Sequence, residues 1–186
     1  MTDSSEGEVV LTPQLQLAIR MLQGNHREMR GWIEEALRDN PALTWAPPET
    51  ETEVDAEVQV EDGRLSVVLA DEGVLSVDEG AEDSGKKSAE WLVSAAARRR
   101  RSIERLLEAM VAHQEGFLSG AEEAPGELSV TTLAGELGYH RSTVERLLKG
   151  KSLRICRQGS GEGSDDSEDR DAGEVIDFAA LVPSRA

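Results

Sequence analysis

The segment LSVTTLAGELGYHRSTVERLLKGK, residues 128–151, gathers groups suited to nucleic acid. Arg141, Arg146 and Lys149 supply cations for phosphate oxygens, and His140, Ser142 and Thr143 supply donors and acceptors for base edges or sugars. Ser129 is placed to cap a first short helix. Leu133 and Leu137 face inward, Ala134 is small where two helices cross, and Gly138 suits a left-handed turn residue. Val144, Leu147 and Leu148 secure a second helix to the first. The six polar groups are then left on the N-terminal and outer surface of the second helix, where a recognition helix meets DNA. Helical hairpins that serve only protein contacts carry a similar pattern.

The other reactive residues spell out no competing chemistry. Cys156 is the single cysteine, and His26, His113 and His140 lie far apart without ligand spacing, so no metal site is expected. No catalytic pair of carboxylates and no Cys/His dyad can be picked out, and the glycines of GSGEGS (159–164) follow no predicted strand and open no helix. The expectation is a protein that is not an enzyme and uses no cofactor.

An acidic chain is a poor home for a DNA-reading helix: the net charge is −17 and the pI about 4.5. The charge is not spread evenly, however. Residues 49–85 carry thirteen acids and one arginine, and residues 158–186 carry eight acids and two arginines. Residues 128–157 carry six basic groups, Lys151 among them, against two acids. Approach to phosphate is decided by the local field, and that is positive here.

The elements that must position these groups are short. Thr12 and Pro13 read as a helix N-cap and first-turn proline. Leu11, Leu15, Ala18 and Leu22 share one face of a helix, widened by Leu17 and Met21. Gly24-Asn25 breaks the pattern. A second helix with Met29, Trp32, Ile33, Ala36 and Leu37 on one side ends at Asp39-Asn40-Pro41. The pair is either a hairpin packed on the rest of the chain or a recognition peptide. PPETETE reads as an extended linker. In AEVQVEDGRLSVVL, a turn at Asp62-Gly63 sets Val60 opposite Leu65, Val58 opposite Val67 and Glu61 opposite Arg64. From Lys87 a helical segment leads through RRRR (98–101) into a long helix with Ile103, Leu106, Leu107, Met110, Val111, Gln114, Phe117 and Leu118, whose apolar members form one broad stripe. The four arginines read as a solvated face partly paired with Glu90, Glu104 and Glu108, with a nucleic-acid patch as the other reading. The acidic tail reads as disordered, with VIDFAALV (175–182) as an apolar island that docks transiently or does nothing.

The predicted fold is mainly α: a short N-terminal helical hairpin (1–46), an acidic linker with one small β-hairpin (47–85), a long helix plus helix-turn-helix (86–157), and a disordered acidic tail (158–186). No stretch has the length and apolarity to cross a bilayer and the N-terminus has no signal-peptide pattern, so the expected location is cytoplasmic.

Several of these blocks, in this order, resemble the sigma-54 family of bacterial RNA polymerase specificity factors. TPQLQLAIRMLQGNHREMRGWIEEALRDNPAL (12–43) is similar to the family's activator-interacting region, with its TPQLQ start and EAL--NP-L end. AEWLVSAAARRRRSIERLLEAMVAHQEGFLSG (89–120) resembles the stretch following the strand pair of its core-binding region, to which residues 58–69 are similar. LSVTTLAGELGYHRSTVERLLKGKSL (128–153) is similar to the family's ELG-HEST segment. There are departures. Between Leu43 and the strand pair stands only a short linker where the family has a helical bundle. HRST replaces HEST, so Arg141 stands for an acid, and KSLRICRQG departs from KY--TP-G. The family's C-terminal reader of the upstream promoter element is not recognisable, which implies a truncated and divergent member.

The resemblance implies contact of Leu15, Gln16, Leu17, Ile19 and Leu22 with an AAA-type activator ATPase and core RNA polymerase. It implies contact of His140, Arg141, Ser142, Thr143 and Arg146 with promoter DNA near the downstream element, weakly or only with polymerase; Lys149 and Lys151 extend that basic surface. The alternative is a regulatory decoy that occupies activator or polymerase and leaves DNA alone, and a third reading is a remnant without function.

Overall fold

The computed structural model describes residues 13–61, 63–157 and 173–183. The predicted cap at Thr12, the turn residue Asp62 and the greater part of the predicted tail therefore lie outside the described residues.

Helices α1 (Pro13–Gln23) and α2 (His26–Asp39) form the expected pair. Asn25 starts α2 with a capping box: its side chain accepts from the Glu28 amide at 2.9 Å, and the Glu28 carboxylate accepts from the Asn25 amide at 3.0 Å. Gly24 is required by packing, since a Cβ there would lie 2.4 Å from the Trp32 ring. Helix α2 ends at Asn40, ahead of Pro41.

A strand not foreseen from the sequence follows. β1 (Leu43–Ala46) pairs antiparallel with β4 (Val74–Val77) in a two-stranded sheet. Between them, β2 (Ala56–Glu61) and β3 (Arg64–Leu69) make the predicted hairpin in the predicted register, with Val60 opposite Leu65, Val58 opposite Val67 and Glu61 opposite Arg64. The acidic linker is held against α2: Glu51 pairs with Arg30 at 2.6 Å and Glu53 with Arg27 at 3.7 Å.

One helix, α3 (Asp83–His113), covers the whole run from the acidic loop through the arginines. It stops at Gln114, and α4 (Glu115–Ser119) carries Phe117 and Leu118. Gln114 is buried and fully used: its amide nitrogen donates to the Gly126 and Leu181 carbonyls (3.1 and 2.8 Å), and its oxygen accepts from the Gly126 amide at 2.7 Å. Helices α5 (Val130–Leu137) and α6 (Arg141–Leu148) are the two arms of the helix-turn-helix, and β5 (Ser152–Arg157) leaves it.

The expectation of a mainly α chain with one isolated hairpin is corrected here: among the described residues the fold is mixed, about half helical, with two small sheets. β5 adds to β2 in parallel, and β6 (Glu174–Asp177) adds to β5 antiparallel, giving the order β3-β2-β5-β6. A lone hairpin has too little apolar face to be stable in water, and the added strands with α3 supply it. Ala56, Val58, Val60, Leu153 and Ile155 are buried with Ile103, Leu106, Leu107 and Met110 of α3 and with Leu133, Val144 and Leu147 of the helix-turn-helix. The expectation that 174–182 is disordered or docks only transiently is also corrected. β6 leads into a 3-10 turn, Phe178–Leu181, whose Phe178 and Leu181 are fully buried in that core. Among the described residues, no helix is long and apolar enough to cross a membrane.

Candidate nucleic-acid interface

The two arms of the helix-turn-helix are set by local chemistry. Ser129 accepts from the Thr132 amide at 3.0 Å and starts α5. Gly138 has φ of 67°, the left-handed turn that a side chain resists, and the next amide, Tyr139, bonds back to the Ala134 carbonyl at 2.9 Å. Leu133, Leu137, Val144, Leu147 and Leu148 are buried as their spacing predicts. His140 is the N-cap of α6: its Nδ1 accepts from the Ser142 amide at 3.3 Å, so the neutral ring carries its proton on Nε2.

His140, Arg141 and Lys149 are exposed, and Ser142, Thr143 and Arg146 are half-buried. Arg141 donates to Glu145 one turn on at 3.0 Å, an exposed pair of the kind that contributes at most about 1 kcal/mol and is readily exchanged for a phosphate. Arg146 reaches the Ser142 hydroxyl at 3.4 Å. Lys151 is not on this surface. It is fully buried, and its ammonium donates to the carbonyls of Leu22 (2.8 Å) and Gln23 (3.2 Å) at the end of α1. Burial, with Arg99 nearby, lowers its pKa from 10.5 to about 8.

The arginine run divides by helical phase. Arg99 points into the molecule, where it donates to the Met21 carbonyl (2.6 Å) and the Gly24 carbonyl (2.8 Å) and pairs with Glu72. A solvated face paired with Glu90, Glu104 and Glu108 therefore does not describe it. Arg98 and Arg101 are exposed and fall in line with Arg105 at helical spacing. Arg105 stacks on Tyr139 at 5.2 Å and donates to the Leu137 carbonyl at 3.1 Å, fastening the turn of the helix-turn-helix to α3. Arg98 and Ser102 share a groove with Thr143 of α6. Arg98 and Arg105 thus border the start of α6. Sequence reasoning passed over Arg105, whose signal was its place one helical turn beyond Arg101 and on the same face as Arg98.

Arg99 and Lys151 together answer the carbonyls that end α1. A helix leaves its last carbonyls without intrahelical partners, and cations there are favoured twice, by hydrogen bonding and by the helix dipole. Helix α1 packs against both α3 and α6, so this part of the chain is docked on the rest of the fold. Of the residues assigned to activator or polymerase, Leu15 and Gln16 are exposed, while Leu17, Ile19 and Leu22 are half-buried. Leu17 packs with Met21 and Trp91, and Leu22 packs on the main core, so the five do not form one surface.

Asp55 completes the junction. One carboxylate oxygen accepts from the His26 amide at 2.7 Å and the other from the Ser152 amide at 3.0 Å, tying the start of α2 to β5. The Asp55 carboxylate beside the ring and the Thr52 carbonyl, 2.6 Å from Nε2, raise the pKa of His26 above 6.5 against the opposing effect of burial.

Comparison with known proteins fits these elements. A family model described as the sigma-54 DNA binding domain matches residues 81–159, and one described as the sigma-54 factor activator interacting domain matches residues 7–45. The chain is 30% identical over 152 residues to the RNA polymerase sigma-54 factor of Caulobacter vibrioides, covering 70% of this chain and 30% of that one. It is 34% identical over 71 residues to the RNA polymerase sigma-54 factor of Xanthomonas euvesicatoria, covering 38% of this chain and 15% of that one. The chain thus spans less than a third of the length of these curated relatives. A crystal structure of Aquifex aeolicus sigmaN bound to promoter DNA aligns with a TM-score of 0.41 at 25% identity, over 61% of this chain and 38% of that one.

Proposed function

The chain belongs to the sigma-54 family, and from that premise we infer that it is a transcription initiation factor that binds core RNA polymerase and promoter DNA and performs no covalent chemistry. The observation that carries the DNA side is the basic border around α6. Arg141, Arg146 and Lys149 lie on and just after that helix, and α3, which packs against it, carries the exposed Arg98, Arg101 and Arg105. Such a surface positions a duplex by its phosphates, while Ser142, Thr143 and the Nε2 of His140 are the groups able to meet base edges. The downstream promoter element is the site this surface would address. The activator-interacting similarity of residues 7–45 points to an AAA-type activator as the partner of the exposed part of α1, Leu15 and Gln16.

Thr143 and Arg146 are half-buried, and α1 lies along α6. DNA contact is accordingly weak for the chain alone and firm only with polymerase. The same covering favours a second reading, a decoy that occupies activator or polymerase without touching DNA.

Fluorescence anisotropy on labelled promoter duplex, with the full chain alone and with core polymerase, separates the two. Binding should fall steeply with salt. Arg141→Ala with Arg146→Ala should reduce the slope of log affinity against log salt by about one for each phosphate that is no longer engaged. Binding to polymerase with no dependence of the complex on these arginines would leave the decoy as the better account.

A further inference from the structure

A second surface, separate from α6, has the make-up of a docking site. It is an open groove of about 850 Å3 lined by the first turns of α1, the C-terminal end of α2, Leu43 of β1 and the first turns of α3. Its apolar lining includes Leu17, Ala36, Leu43, Trp91 and Leu92. Among the described residues, Asp39, Asp78 and Glu82 are its charged lining residues, all three exposed, and neither lysine nor arginine lines it. The nearest cation along α3, Lys86, is directed to the Glu79 carbonyl at 3.0 Å and to Asp83 at 3.9 Å. The end of α2 adds the partial negative charge of its terminal carbonyls.

We propose that this groove receives a short amphipathic helix of a partner protein, with apolar side chains at i and i+4 over Leu17, Trp91 and Leu92 and flanking lysine or arginine side chains toward Asp39, Asp78 and Glu82. Charge complementarity fixes the flanks: an all-acidic border repels an acidic occupant and steers a basic one. The walls fix the conformation. Only Leu43 of β1 reaches the groove, so no strand edge is offered to an extended peptide, whereas α1 and α3 present ridged helical surfaces to a third helix. The volume falls in the range of about 300–1,000 Å3 typical of ligand sites and suits a few anchor side chains rather than a whole domain. The site uses neither α6 nor the arginines of α3, and it stands whether or not the chain reads DNA.

The test is anisotropy on the full chain with a fluorescent helical peptide carrying leucines at i and i+4 and lysines at the flanks. A second peptide has every lysine replaced by glutamate. The lysine peptide should bind saturably and weaken as salt is raised, and the glutamate peptide should bind at least about tenfold more weakly. Ser88 is an exposed groove residue, and Ser88→Trp should fill the groove and weaken the lysine peptide by at least about tenfold. Asp39→Lys with Glu82→Lys changes only exposed side chains and should do the same. Amide shifts in NMR spectra should move at Ala36, Leu43 and Leu92 on binding. No saturable binding, equal binding of the two peptides, or unchanged binding by both variants would overturn the proposal.

Discussion

Replacing Lys151 with methionine isolates what a buried ammonium does at the end of α1. Methionine keeps the length and apolar stem but cannot donate, so the Leu22 and Gln23 carbonyls give up the bonds they receive at 2.8 and 3.2 Å. Leaving a buried acceptor unbonded costs about 1–3 kcal/mol. Against this cost, the charged lysine is itself penalised by burial and by Arg99, as its pKa of about 8 against 10.5 for an exposed lysine records. That gap corresponds to about 3 kcal/mol. Near pH 7 the two effects offset, and the net change in stability should be small.

The pH dependence separates them. Because the folded pKa is depressed, the unfolded chain holds more protons than the folded one between pH 8 and 10.5, and stability from this group rises with pH across that window. The neutral amine still donates to both carbonyls. Wild type should therefore gain about 3 kcal/mol on Lys151→Met between pH 8 and 10.5, which is about 6–12 °C in Tm for a chain of this size. Urea denaturation followed by tryptophan fluorescence reads the transition, and other titrating groups cancel in the difference between the two proteins. Parallel stability curves from pH 7 to 10.5 would refute the assignment of Lys151 to a buried, charge-penalised contact.

Three further outcomes follow from neighbouring contacts. Arg99→Met should cost about 3–5 kcal/mol by urea denaturation, because it strands Glu72 and the Met21 and Gly24 carbonyls, and Arg99→Lys should restore little since one ammonium cannot replace the fork. The raised pKa of His26 gives stability that is fully present below pH 6.5 and lost as pH rises through its folded value. His26→Gln should flatten that decline, and an NMR titration midpoint at or below 6.5 would contradict it. Phe178→Ala should cost about 3–5 kcal/mol, and faster amide exchange in β5 would locate the weakening at the β5–β6 pairing.

Much of the site was legible in the sequence because its signals are local. Ser129, Gly138 and the leucine spacing place α5 and α6 without reference to the rest of the chain, and the hairpin register follows from one turn and two alternating strands. The features that were not legible share a physical origin in contacts between distant segments. β1 and β4 are short, and their pairing joins residues 43–46 to 74–77, so neither shows a pattern alone. Residues 174–181 are a short apolar run within an acidic tail, and their order depends on the edge offered by β5 and on the Gln114 bond to Leu181. Lys151 and Arg99 read as surface cations because composition cannot reveal that the carbonyls ending α1 would come to meet them.

The placement of these two cations bears on how a chain of net charge −17 carries a basic surface. Arg99 and Lys151 are withdrawn into the fold and contribute bonds to α1, so the outward field near α6 depends on fewer basic groups than the sequence offers. The acids are also committed locally. Glu51 and Glu53 lie against Arg30 and Arg27 on α2, and Glu57 is paired with Arg154 within the sheet at 3.1 Å. At physiological ionic strength the field of an exposed charge decays over about 8 Å, so each of these acids acts mainly on the cation it is paired with. Arg98 and Arg105 of α3 are brought to the start of α6 by the packing of Thr143 and Tyr139 against α3, not by sequence proximity. Position in the fold, rather than net charge, sets the local field around α6.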